Sequence, residues 1–191
     1  MSLVMTLTAG ALATTLAQTL AQSWMREPVE NPAGPEISGR YAELQASGAS
    51  GCNTAGTPLT LDIRILAAPP HYRSANIGEA AYNLGPGRGG SFTVAGQPRR
   101  TAHADGAERI AFAGGWIHSA GRYVDGISDG QLRGLVVVTL DRLPDGRLRV
   151  IAIERSERQN GTGTPVVADG RLDDGTHLRE FERCGDWTGR D

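Results

Sequence analysis

Four histidines, two cysteines, a glycine-rich run and six Asp-Gly steps are where this chain has chemistry to offer. His71, His103, His118 and His177 stand far apart, and no pair has the spacing with which a strand or helix presents two metal ligands. A hydrolase would need two of His71, His103 and His118 to converge with an acid or a serine. Gly48-Ala49-Ser50-Gly51-Cys52 approaches a nucleophile elbow, but Cys stands where the last glycine belongs and no partner is assignable. Gly85-Pro86-Gly87-Arg88-Gly89-Gly90 has the composition of a phosphate loop, yet it lacks the Lys-Ser/Thr end and leads into a strand pattern. A calcium loop starting at Asp125 would have Ile127 third and Val136 twelfth. One starting at Asp169 reaches Glu180 at the twelfth position but has Arg171 at the third. These residues imply no cofactor and no metal, and the reading leans away from an enzyme. The sequon Asn160-Gly161-Thr162 would matter in a eukaryotic secretory protein and otherwise reads as loop.

The stretch from Ala67 to Arg122 is better suited to binding. It carries six arginines against three acids, three of the four histidines, and interleaved Tyr72, Tyr82, Phe92, Phe112 and Trp116. Arginine recognises carboxylate or phosphate, and Tyr or Trp adds apolar contact. The candidate ligand-binding residues are His71, Tyr72, Arg73, Arg88, Arg99, Arg100, Trp116 and His118. The competing reading of the same stretch is a solvated surface with its aromatics packed in the core.

Cys52 and Cys184 fit no zinc pattern. An isolated, even pair suits a disulfide in an oxidising compartment. All 19 basic residues are arginine and the net charge is −2, with the signs interspersed. No basic tail or stripe offers a footprint for nucleic acid.

The elements that must position these residues read as β. Asp105, Asp125, Asp129, Asp145, Asp169 and Asp174 are each followed by glycine, the pair that best tolerates the positive φ of hairpin turns. Leu59 to Leu66 alternates apolar and polar residues, as a half-buried strand does. Ile37–Leu44, Ser91–Val94, Arg109–Phe112, Val166–Ala168 and Thr176–Glu182 are further strand candidates. Gly134 to Arg155 reads as one hairpin. A two-residue turn there would set Arg142 against Arg149. A three-residue turn of Pro144, Asp145 and Gly146 sets Asp141 against Arg149, Leu140 against Val150 and Val137 against Ile153, and is the register expected. Leu135–Leu140, apolar on both faces, predicts a strand covered on each side.

Residues 1–26 contain no charge before Arg26, and Leu12, Leu16, Leu20 and Trp24 recur every four positions. They read as an export signal, a membrane anchor or a docked amphipathic helix. A Pro-rich linker spans 27–36, and 37–191 forms one domain. The expected fold is all-β, an antiparallel sandwich or barrel of about eight strands. Ser38-Gly39-Arg40-Tyr41 is similar to the Gly-x-Trp opening of lipocalins, with Tyr in the place of Trp, and four residues assign no family. The functional expectation is a secreted, periplasmic or envelope-associated β domain, non-enzymatic, binding a protein or a small acidic or apolar ligand through its central loops. The alternatives are a lipocalin-like small-molecule carrier, a subunit packed through the N-terminal helix or membrane-contacting segment 3–24, and a hydrolase of unrecognised type.

Overall fold

The computed structural model describes residues 34–53, 58–66, 76–117, 123–124, 127–128, 132–156 and 163–187. The N-terminal helix or signal therefore lies outside the described residues, as do most of the linker and the Asp-Gly steps at 125 and 129.

A 3₁₀ turn, Pro35–Ile37, precedes twelve strands: β1 Gly39–Glu43, β2 Thr60–Ile65, β3 Asn76–Asn83, β4 Gly89–Ala102, β5 Glu108–Ile117, β6 Tyr123–Val124, β7 Ile127–Ser128, β8 Leu132–Arg142, β9 Leu148–Ser156, β10 Thr164–Ala168, β11 Arg171–Leu172 and β12 Phe181–Gly185. Among the described residues β6 and β7 pair only with each other. The other ten form one antiparallel sheet in the order β11-β10-β9-β12-β1-β2-β3-β4-β5-β8. β9 also pairs with β8, so the ladder from β8 through β5, β4, β3, β2, β1, β12 and β9 returns to its start. The join between β9 and β12 is a single pair, Phe181 with Leu148.

Three of the Asp-Gly steps build the same turn. At 143–147, Leu143 N–H donates to Arg147 O (2.8 Å) and Gly146 N–H to Leu143 O (2.9 Å). Asp145 Oδ1 accepts Arg147 N–H at 3.1 Å. His103–Ala107 and Leu172–Thr176 repeat this pattern around Asp105-Gly106 and Asp174-Gly175. The glycines sit at φ 82°, 86° and 83°, the left-handed position that closes a three-residue hairpin turn. Asp169 (φ 49°) and Gly170 (φ 71°) instead make a two-residue turn between β10 and β11, since Ala168 pairs Arg171.

The expected three-residue register is present at the turn: Asp141 faces Arg149 and Leu140 faces Val150. Beyond it the expectation fails. A bulge between Thr139 and Leu140 shifts β9 by one residue, so Val138, and not Val137, faces Ile153. The shift keeps Ile153 on the buried side, where it is 0% exposed. Several boundaries also move. The first strand begins at Gly39, because Pro35–Ile37 turns, which also takes the last linker residues out of extended form. Ser91–Val94 and Arg109–Phe112 are fragments of the much longer β4 and β5. The last strand is Phe181–Gly185, while Thr176–Glu180 runs outside it with one bridge, Arg171 to His177. Leu135–Leu140 alternates half-buried and buried positions, so one face only is fully covered.

One row of side chains fills the inner face: Tyr41, Leu61, Ile63, Phe92, Ile110 and Phe112 among others, each at most 5% exposed. Phe92 and Phe112 stack with centroids 6.1 Å apart. A void lined by Leu61, Ala80, Phe92, Val138 and Ile153 holds about 10 Å³. That is the room of one water molecule, in an apolar setting. Tyr41 OH donates to Ile37 O (3.0 Å), and Ser38 Oγ accepts Ile65 N–H (2.8 Å), which seats the 3₁₀ turn against β2. Cys52 and Cys184 form a disulfide across 132 positions.

Candidate functional site

Among the described residues the sequence-selected arginines do not come together. His71, Tyr72, Arg73 and His118 lie outside the described residues. Arg88 sits in the turn between β3 and β4, whereas Arg99 and Arg100 lie toward the other end of β4, roughly 35 Å along an extended strand. Trp116 lies in β5, opposite Gly134 of β8. The stretch expected to be loops is thus largely strand among its described residues, and Tyr82, Phe92 and Phe112 belong to the core.

Arg88, Arg99 and Arg100 are all engaged in the fold. Arg88 reaches Asp173 (2.6 Å) and Asp174 (2.9 Å), tying the β3–β4 turn to the turn after β11. Its own charge state is held by Asp173 first, and Asp174 is kept below the usual carboxylate range by Thr176 first, then by Arg88. Arg100 pairs with Glu36 and with Glu108 (3.2 Å), and Glu108 also receives Arg142 (3.4 Å). His103 supplies backbone groups to the β4–β5 turn.

Among the described residues a cleft of about 590 Å³ lies elsewhere, beside the β9–β12 join. Four segments of the chain form it. Leu44–Gly48 leaves β1, Arg149 and Ile151 come from β9, Asp169-Gly170 is the two-residue turn, and His177–Glu180 leads into β12. Backbone bonds fix the arrangement: Gly170 N–H donates to Ile151 O (3.0 Å), Leu178 N–H to Gly170 O (2.8 Å) and Leu44 N–H to Glu180 O (2.9 Å).

Charges of both signs line this cleft. Glu180 is clamped by Arg147 (2.5 Å) and Arg149 (3.0 Å). Arg179 meets Glu43 at 3.6 Å and Leu44 O at 3.5 Å. His177 Nδ1 lies 2.8 Å from Leu178 O; a carbonyl only accepts, so Nδ1–H is the donor of this contact. Among the described residues Asp169 makes no side-chain hydrogen bond or ion pair. Leu44, Ile151 and Leu178 add apolar wall. Among the described residues no three His, Cys, Asp or Glu side chains gather as a metal site requires. The sequence carried no signal for this cleft, because its residues meet only through strand pairing and one turn.

No family profile, curated protein or solved structure matches the chain.

Proposed function

We propose that this chain is a non-enzymatic, secreted or envelope-associated β-barrel domain that binds a ligand or partner on its outer surface. The observation that carries the reading is the contrast between two spaces: an interior void of about 10 Å³ and an exterior cleft of about 590 Å³. Ligand pockets usually measure roughly 300–1,000 Å³ and combine apolar walls with a few polar groups. The cyclic strand pairing supports a barrel with its interior filled by its own side chains. The small size of that void weighs against a carrier holding its cargo there. The disulfide supports an oxidising compartment.

Hydrogen–deuterium exchange tests the site. The protein is measured alone and with the periplasmic or secreted fraction of its host. Added protection at 44–48 and 169–180 is the expected result. Protection confined to the central segments around His71 and His118 would move the site there, and no protection anywhere would remove the binding role.

A further inference from the structure

We infer that the cleft takes a short peptide with both termini free, its ammonium held by Asp169 and its carboxylate by Arg149 and Arg179; this rests on the cleft being the binding surface. Asp169 is exposed at the tip of its turn at φ 49°, a conformation that few non-glycine residues adopt. Its carboxylate has no partner among the described residues and lines the cleft. A guanidinium has five N–H donors. Arg149 gives one group, Nη2, to Glu180. Arg179 gives Nη1 to Leu44 O and Glu43. The remaining donors of both are unspent among the described residues, and the two side chains are 46% and 50% exposed.

After its internal pairing, the cleft therefore keeps acceptors of one sign and donors of the other beside Leu44, Ile151 and Leu178. A simple anion would meet repulsion from Asp169, and a simple cation would meet two arginines. A molecule bearing both charges on an apolar frame satisfies all three groups.

The test uses three probes on the oxidised full chain, followed by amide chemical shifts: the dipeptide Ala-Leu, N-acetyl-Ala-Leu and Ala-Leu amide. Ala-Leu is expected to shift Gly48, Gly170 and His177–Glu180 and to bind up to about fivefold more tightly than either blocked form, the scale of exposed ion pairs. In Asp169→Asn the advantage over the N-acetyl form should vanish, while the turn survives because Asn-Gly suits it. In Arg149→Gln and Arg179→Gln, made singly, the advantage over the amide should shrink, with each spectrum reporting whether that variant is folded. If either fails to fold, the blocked peptides and Asp169→Asn decide alone. Equal affinity of all three probes at the cleft overturns the inference and leaves the cleft as a surface. Absence of cleft shifts with every probe also overturns it, while the exchange experiment judges the cleft independently.

Discussion

Gly114 lies on the inner face between β4 and β8, where a Cβ would collide with Thr93 O and the Phe92 ring. Gly114→Ala is expected to cost about 1–3 kcal/mol by overpacking, read as a lower urea midpoint; an unchanged midpoint would mean that both the β4 backbone at Thr93 and the Phe92 ring have slack. Tyr41 and Tyr82 respond to the same interior through their phenols. Burial pushes both above their ordinary 10.0, opposed at Tyr41 chiefly by Arg183 and at Tyr82 by Arg155. Each folded value is raised, so their contribution to stability is complete below pH 10.0 and is lost as pH rises through the folded value. An ultraviolet titration of native protein should show two phenols ionising later than in denaturant. Asp145, held down first by the Arg147 side chain, has the opposite sign. Its contribution is present above the ordinary 3.8 and disappears as pH falls through the depressed folded value, which a carboxyl NMR titration would follow.

The turns form the next scale, because they set the register of the strands. Gly146→Ala forces an L-residue to φ 86° and should cost about 1 kcal/mol. Asp169→Asn places Asn-Gly in a two-residue turn and should leave the thermal midpoint unchanged or slightly raised. Calorimetry of the pair would separate turn chemistry from general surface effects. The same turns explain what could be read in the sequence. Asp-Gly marks a chain reversal by local conformational preference alone, so the hairpin at 143–147 and its charge pairing were legible. The bulge between Thr139 and Leu140 was not, because it follows from which side of β9 must be buried, a tertiary demand. The long β4 and β5 were also obscured. Their Gly, Ala, Gln and Arg positions are poor strand formers by preference and are held in strands by neighbours on both sides. The cleft was hidden for a related reason: Leu44, Arg149, Asp169 and Arg179 acquire a shared surface only once β12 lies between β1 and β9.

At the scale of the whole molecule, one covalent bond anchors β12, the strand whose pairing with β9 is thinnest, to the segment that follows β1. β12 joins β9 through one pair but joins β1 through four, and Cys184 on β12 is bonded to Cys52 beyond β1. Closing a loop of 132 residues removes up to about 5 kcal/mol of chain entropy from the unfolded state. Cys52→Ala/Cys184→Ala should therefore lower the denaturant midpoint markedly while leaving the β spectrum intact at low temperature. The proposed role depends on that bond existing where the protein works. Thiol trapping in the fractionated host measures it directly: cells are quenched in acid, alkylated with a mass-adding maleimide, and the protein is sized without reduction in each fraction. The account predicts a chain in the envelope or secreted fraction that takes up no maleimide until reduced. A cytoplasmic chain carrying two maleimides would contradict it.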